Sequence, residues 1–582
     1  MAVAQPPTAP GAPGGGQPVT SLDANTLRDL LNAGLMWLDR HHEIVNALNV
    51  FPVPDGDTGT NMLLTMKSAC GEITQDHLHS AGAVVKAAAH GALMGARGNS
   101  GVILSQILRG ISRSLDDQPT VTGAMFAAAL AEGSRVAYKG VNRPVEGTIL
   151  TVVREAAAAA ESAAALDDDL RFIMARTVRA ADEAVANTPK LLPILAQAGK
   201  VDSGGKGLFF ILEGMLRALT GEQTPTEAAA PTAALPAAAP QPSKGEREIP
   251  PPVYGFDVQF LVEGTTLDVA AIRARITALG DCPLIEGDET LVKVHVHVPD
   301  PGGVLSYAVS LGFVTDVVVE NMDDMHIPQM PAGYDPFPPR FEDGSASAAL
   351  PPDAAEKLGP IDGPGLVAVV PGAGLAGVFR SLGMHSIIPG GQTMNPSTQD
   401  LLEAIRKIPV SEVILLPNNG NILMAAQQAM HVAEAEGKRV RVVPSKSIPQ
   451  GITALLALNP HADLDHNVAA MTAALDHVQT GEVTMAVQDA DFDGIQVRTG
   501  DVIGLLNDTL SATAATAAEV VQILLEQMGA ADLEVITLYY GQPIAAAEAH
   551  GLQESLRELY PDQEIEVVDG GQPFYHYIIS AE

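Results

Sequence analysis

The chain has 582 residues, 69 of them acidic against 34 Lys and Arg, for a formal net charge of −35, and 46% are hydrophobic. At roughly 150 residues per domain this length predicts three or four folding units, and the apolar share is too high for a disordered chain. A surface so negative repels nucleic-acid phosphates and anionic membrane at long range, so nucleic acid is excluded as an expected partner; a small anion held locally by a metal ion is not.

The two cysteines, Cys70 and Cys282, belong to no paired motif, which leaves a disulfide framework and a zinc knuckle unsupported. Residues 1–20 are rich in Pro, Gly and Ala, and the first basic residue is Arg28, so this stretch reads as a disordered leader rather than a secretory signal. No apolar run reaches the roughly 18 residues that span a bilayer, and a cytoplasmic protein without stable membrane insertion is expected.

Residues 21–221 read as helical. Leu27, Leu30, Leu31, Leu35 and Leu38 form a one-face stripe, and Ala-rich segments recur near 80–95, 101–114, 121–138, 148–165, 168–187 and 205–220. With a short helix after Asn61 this predicts about eight helices, an up-and-down barrel. Glycine-rich polar loops at 54–60, 95–101, 144–148 and 199–205 fall at the first, third, fifth and seventh joints. Alternate joints of such a bundle share one end, so these loops should converge on one rim, each feeding a helix N-terminus where free N–H groups favour phosphate.

Residues 222–250 form a Pro, Ala and Thr linker. Residues 251–330 change period: runs at 256–262, 291–298 and 314–319 alternate or are β-branched, with a helical 267–279, predicting a small α/β domain. A second linker covers 331–364. From 365 to 582, strands at 366–370, 413–416 and 439–443 alternate with helices at 398–407 and 422–436, which predicts a parallel sheet with crossovers; strands at 482–487, 534–540 and 575–579 predict a second lobe split off near 480.

The strongest chemical signal is Pro52-Val53-Pro54-Asp55-Gly56-Asp57-Thr58-Gly59-Thr60-Asn61. Two carboxylates at i and i+2 in a glycine-interrupted loop can turn toward one hard cation, although Asp-Gly also makes ordinary turns. Ala96-Arg97-Gly98-Asn99-Ser100-Gly101 opens a helix and suits either capping or phosphate; Glu146-Gly147-Thr148 and Asp202-Ser203-Gly204-Gly205 repeat the arrangement. No Walker loop exists, since Gly205 stands where its lysine should follow Gly204, and Gly372-x-Gly374-x-x-Gly377 lacks the ribose-binding acid of a dinucleotide site. His295 and His297 alternate with valines on one strand, as a shared metal site or as plain sheet-face histidines. Loops at 390–395, 418–419 and 445–447 leave the carboxyl ends of predicted parallel strands, where open sheets bind ligands.

On these residues the chain resembles the ATP-binding catalytic subunit of the two-component fatty acid kinases, dihydroxyacetone-kinase-like proteins. The match runs from about Leu22 to the C-terminus and is most specific at 49–61, 96–106, 144–152, 201–207, 293–300, 390–398, 444–451 and 569–579. The resemblance implies an eight-helix DhaL-like nucleotide domain, a zinc-carrying α/β middle domain, and a DegV-like α/β C-terminal domain serving partner docking. It implies Asp55 and Asp57 as the catalytic pair that holds magnesium between the ATP phosphates. Thr58, Gly59, Thr60, Asn61, Gly98, Asn99, Ser100, Gly101, Thr148 and Asp202 would surround the nucleotide. Dihydroxyacetone kinases have a third aspartate upstream; this chain has Asn46, Asn49 and Val50 there, and Asn49 is the candidate third ligand. For zinc, His295 and His297 are the candidates. The family's cysteine after the tyrosine equivalent to Tyr254 is Gly255 here, with Asp257, Cys282 and His326 as substitutes.

The expected function is transfer of the ATP γ-phosphoryl group to the carboxylate of a fatty acid presented by a separate DegV-like acyl-binding protein, with ATP and Mg2+ as cofactors, zinc in the middle domain, and a homodimer among the expected states. The competing readings are a self-sufficient dihydroxyacetone kinase and a nucleotide-sensing scaffold without turnover.

Overall fold

The structure, a computed structural model, describes residues 18–50, 56–74, 78–141, 143–222, 256–264, 267–277, 279–287, 291–298, 301–321, 361, 363–391, 395–492 and 494–582. These fall into two compact units. The helical and C-terminal segments form one together, and the middle segment forms the other.

The helical segment comprises α1 (Ala24–Ala47), α2 (Thr58–Glu72), α3 (Ala81–Met94), α4 (Gly98–Ser114), α5 (Gly123–Gly140), α6 (Ile149–Ala164), α7 (Leu170–Leu191), α8 (Pro193–Gln197) and α9 (Ser203–Thr220). Two short strands, β1 (Ser21–Leu22) and β2 (Val121–Thr122), pair antiparallel. The helices begin where side chains satisfy their first amides: Asp23 accepts from Thr26 N, Ser80 from Ala83 N, Thr122 from Met125 N and Asp169 from Arg171 N. Each long helix packs on its chain neighbour from α1 to α7, and α9 packs on both α7 and α1. The predicted stripe of α1 faces inward, with Leu27, Leu30, Leu31 and Leu38 buried and Leu35 partly buried. Alanines such as Ala92, Ala156 and Ala160 are fully buried in this core. Within this segment the sequence predicts every helix but α8, opened by Pro193 between α7 and α9.

The middle segment is β3 (Phe256–Glu263), α10 (Val269–Thr277), β4 (Asp281–Gly287), β5 (Leu291–Val298), α11 (Pro301–Leu311) and β6 (Phe313–Asn321), an antiparallel sheet of order β4-β5-β3-β6. Val292, Val294, Val296 and Val298 of β5 are buried with Ile272, Ile276, Val304 and Ala308 of the two helices. Strand β4 and helix α11 are not expected from the sequence, because Pro283 stands inside the strand and Pro301, Gly302 and Gly303 open the helix, and such residues read as turns.

The C-terminal segment opens with β7 (Gly365–Val370), α12 (Ala373–Ser381), β8 (Ser386–Pro389), α13 (Thr398–Lys407), β9 (Glu412–Leu416), α14 (Leu423–Ala435) and β10 (Arg439–Val442), in which β10-β9-β7-β8 form a wholly parallel sheet as expected. Strand β7 is buried at all six positions, the signature of a sheet covered on both faces. After α15 (Ile448–Leu456) and α16 (Leu464–Ala474) come β11 (Gln479–Met485), β12 (Ala490–Phe492), β13 (Ile495–Val497), β14 (Val502–Leu506), β15 (Thr509–Ala514), α17 (Ala517–Met528), β16 (Val535–Tyr540), α18 (Ala546–Leu559), β17 (Glu564–Asp569) and β18 (Tyr575–Ala581). Here a mixed six-stranded sheet runs β15-β14-β11-β18-β16-β17. Among the described residues no helix is long and apolar enough to cross a membrane.

The Gly372-x-Gly374-x-x-Gly377 motif joins the two sheets. Leu375 N donates to Gly570 O at 3.0 Å, so the start of α12 is closed by the chain just after β17, and a Cβ on Gly374 would lie 1.9 Å from Asp569 O. Gly377, by contrast, has nothing within 4 Å of an added Cβ and sits exposed within α12. Gly374→Ala should therefore cost about 2–3 kcal/mol through forced separation of the lobes, whereas Gly377→Ala should gain about 0.5–1 kcal/mol from helix propensity. Denaturant unfolding of the two variants checks this, and equal effects would contradict it.

Candidate functional site

The α1–α2 joint is built on a division of labour between two residues. Asp57 stands at the N-cap of α2, the usual place for a carboxylate that caps its own helix, yet its side chain makes no capping bond. Asn46, from the last turn of α1, takes that role: its Oδ1 accepts from Gly59 N at 2.7 Å and Thr60 N at 3.2 Å, and its Nδ2 donates to Thr60 Oγ1 at 3.1 Å. The Asp57 carboxylate faces another way and accepts the side-chain amide of Asn395 from the C-terminal segment. Asp55 lies outside the described residues.

The α3–α4 joint approaches from the other side. Gly98 has φ +56°, and a Cβ there would meet Asn61 Nδ2 at 2.5 Å, so only glycine allows Asn61 to lie against the start of α4. Arg97, the N-cap of α4, makes no side-chain capping bond, and the first turn of α4 carries no acidic residue. Its guanidinium donates to Asn395 O at 2.7 Å and pairs with Asp400 at 3.3 Å.

Asp202 ties two further helix starts together. Its carboxylate accepts from Gly205 N at 2.6 Å and from Ile149 N, so it caps α9 and holds the first residue of α6. Burial pushes its pKa up to about 6, with these two amides pulling the other way. The Thr148 hydroxyl turns back to Val145 O at 2.7 Å, and Glu146 accepts from Thr151 at 2.7 Å and Arg154 at 2.6 Å, which braces the α5–α6 loop. Hydrogen bonds from Thr151 and Arg154 hold the Glu146 pKa below the usual carboxylate range.

Three of the joints, α1–α2, α3–α4 and α7–α9, thus border a cavity of about 280 Å3, and the α5–α6 joint is tied to it through the bond of Ile149 N to Asp202. Its wall includes Asn49, Asp57, Thr58, Asn61, Asn99, Ser100, Asp202 and Ser203, together with Leu192, Ile194 and Leu195 at the unpredicted α8 and Asn421 from the C-terminal segment. Of the residues named from sequence, Gly59, Thr60, Gly98, Gly101 and Thr148 stand beside this wall in the elements that shape it. The amides of Gly59 and Thr60 are spent on Asn46, so the first turn of α4 is the helix start with its opening amides left uncapped by side chains. The sequence named Asn46 only as a neighbour of Asn49 and Asn395 only within a strand-end loop, and it did not single out Asn421; the roles of Asn395 and Asn421 come from partners more than 300 positions away.

The wall offers carboxylate, amide and hydroxyl oxygens, and among the described residues lining it there is no thiol, imidazole, lysine or arginine. That is a hard-cation donor set, and a polyphosphate could sit against Asp57 and Asp202 only with a divalent ion between them. The residues therefore fit a hard divalent ion such as magnesium, with Asp57 and Asn49 in the same wall.

Elsewhere, β5 sets His297 in register with Asp257 of β3 and Asp281 of β4. Tyr254, Gly255 and His326 lie outside the described residues, and among the described residues no group of three or more His, Cys, Asp or Glu is placed to hold a metal ion. The zinc expectation thus gains no support. Cys70 is buried, its thiol pushed up to about 12, which makes it inert. The strand-end loops of the C-terminal segment border a separate apolar cavity of about 360 Å3, lined by Gly390, Gly391, Asn418 and Asn419 among others. The Ser445 hydroxyl accepts from Asn418 N at 3.1 Å and donates to Asn418 Oδ1 at 2.7 Å, and Ser447 caps α15 through Gln450 N, so both serines are structural. Gln392, Thr393 and Met394 lie outside the described residues.

Because folding raises the Asp202 pKa from 3.8 to about 6, the native state holds that proton more tightly. Its contribution is complete below pH 3.8 and is lost as pH rises through about 6. Asp202→Asn, which keeps a capping oxygen without the charge, should gain on the wild type by about 2–3 kcal/mol between pH 4 and pH 7. Urea unfolding at the two pH values measures this; a constant difference would show that Asp202 does not titrate in that window.

Three family models match the chain: a DAK2 domain over residues 52–217, the middle domain of FakA-like fatty acid kinase proteins over 253–328, and the C-terminal domain of the same proteins over 365–582. Protein YloV of Bacillus subtilis is 39% identical over 573 residues, covering 97% of this chain and 100% of its own length. Among solved structures, the Streptococcus pneumoniae fatty acid kinase B3 protein loaded with linoleic acid is 16% identical with a TM-score of 0.25, over 32% of this chain and 76% of that one. The dihydroxyacetone kinase of C. freundii in complex with AMP-PNP and Mg2+ is 16% identical with a TM-score of 0.27, over 37% of this chain and 38% of that one.

Proposed function

The chain belongs to the FakA-like fatty acid kinase family, and we propose that it is an ATP- and magnesium-dependent kinase that phosphorylates the carboxylate of a fatty acid presented by a separate DegV-like acyl-binding protein. The observation that carries this reading is the rim cavity, where three helix joints bring Asp57, Asn61, Ser100 and Asp202 around one space whose polar wall consists of carboxylates, side-chain amides and hydroxyls.

Bound magnesium would neutralise phosphate charge and align the γ-phosphoryl group, chemistry in which positioning and electrostatics do most of the work. Asp57, together with Asp55 two residues earlier, would hold it, and Asn49 is the candidate additional donor. The uncapped first turn of α4 would give N–H groups to a phosphate, aided by the positive end of the helix dipole. Ser100 and Asn61 would orient the nucleotide from either side of Gly98. Asp202 would act one step back, fixing the starts of α6 and α9 against each other. Arg97 is engaged by Asn395 and Asp400, which favours a partner-supplied cation at the transferring phosphoryl.

Asp57→Asn keeps size and hydrogen-bonding capacity and removes the charge that would bind the metal. Turnover should fall by at least ~100-fold with the unfolding midpoint unchanged. The assay follows acyl phosphate formed from ATP and a fatty-acid-loaded carrier; undiminished product from the variant would sink the assignment. Product from dihydroxyacetone without any carrier would favour the self-sufficient kinase instead.

A further inference from the structure

The loop between α1 and α2 is gripped at both ends by the C-terminal segment. At its far end, Asn395 Nδ2 donates to Asp57 Oδ2 across 338 positions of sequence. Asn395 is only 2% exposed, its backbone carbonyl is held by Arg97 at 2.7 Å, and its own Oδ1 has no partner among the described residues. Two residues on, α13 begins under a capping box in which Ser397 and Asp400 bond each other's amides, and Thr398 N donates to Ala96 O at 3.1 Å. Arg97 therefore clamps both the Asn395 carbonyl and the Asp400 of that box. At the near end, Gln488 Nε2 donates to Asn49 O at 2.7 Å, while Lys200 Nζ donates to Ala47 O at 2.8 Å, to Asn49 O at 2.7 Å and to Gln488 Oε1. Asn421 meets Asn99 at 3.2 Å and lines the cavity itself.

We propose that the C-terminal domain is part of the nucleotide site, with Asn395 as the positioning residue of Asp57 and Gln488 as the anchor for the opposite end of the same loop. This rests on the reading of the rim as a magnesium-nucleotide site. The chemistry of the contact supports it. A neutral amide fixes one carboxylate oxygen without cancelling its charge, whereas a lysine or arginine at that place would compete with the metal. Partners that orient a metal-binding carboxylate are worth about 10–100-fold in metal affinity. A buried amide with one hydrogen bond committed to Asp57 and its oxygen unpaired costs stability if it serves packing alone. The arrangement also makes the metal loop sensitive to whatever docks on the C-terminal domain, since the loop has a holding point there at each end.

The test titrates Mg2+ against the full-length chain with AMP-PNP in the calorimeter, alongside turnover with the loaded carrier. Asn395→Ala should raise the Mg2+ concentration needed for AMP-PNP binding by about 10-fold or more, recover wild-type AMP-PNP affinity at saturating Mg2+, and lower kcat more than it raises KM for ATP at limiting Mg2+. Gln488→Ala, at a half-buried position, should shift the magnesium dependence in the same direction by about 3-fold or more and serves as the deciding variant if Asn395→Ala does not fold. Wild-type magnesium dependence in the variants would overturn the positioning role while leaving the kinase reading intact. Absence of nucleotide binding by the wild type would instead sink the kinase reading on which the role rests. Equal losses at limiting and at saturating Mg2+, together with a lowered unfolding midpoint, would mark the contact as structural and also overturn it.

Discussion

The capping of α2 by Asn46 is the interaction on which the site depends. A helix start needs acceptors for its first amides, and the N-cap residue ordinarily supplies them. Here Asn46 reaches across from the last turn of α1 to bond Gly59 N and Thr60 N, so the carboxylate of Asp57 need not fold back over its own helix. Asn46 is placed to donate as well as accept, holding Thr60 Oγ1 with its Nδ2.

A second consequence concerns how the rim is kept open yet ordered. Asp202 joins the starts of α6 and α9, Glu146 braces the α5–α6 loop, and Gly98 lets Asn61 lie against α4. Each of these contacts is internal to the helical segment. The contacts of Arg97, Asn99 and Lys200 are different, because their partners Asn395, Asp400, Asn421 and Gln488 come from the C-terminal segment. The helical and C-terminal segments make one compact unit, and the seam between them passes beside the cavity.

Much of this was legible in the sequence, for reasons that can be named. Periodicity placed α1, α3, α5, α7 and α9 because their buried faces repeat at helical spacing, and the β-branched run at β7 marked a strand covered on both sides. Counting joints predicted that the loops at 54–60, 95–101, 144–148 and 199–205 share one end, since alternation of direction is a property of the chain and not of any residue. Helix α8 escaped because five residues are too few to show a period. The roles of Asn395 and Asn421 escaped for a deeper reason: an asparagine in a loop is common for turn chemistry, and only the docking of two segments gives it a carboxylate or an asparagine to meet. The Gly372, Gly374 and Gly377 spacing shows the converse case, a ligand-like pattern whose first two glycines serve the close crossing of α12 and the end of β17.

Whether the rim is where a nucleotide sits decides everything else about the molecule. Hydrogen exchange of the full-length chain with and without Mg2+ and AMP-PNP addresses this most directly, because it reports which amides the ligand shields. Slowed exchange concentrated at residues 56–61, 98–101 and 202–205 is the predicted result. Protection confined to the apolar cavity of the C-terminal segment, or no protection at any of these three joints, would contradict it.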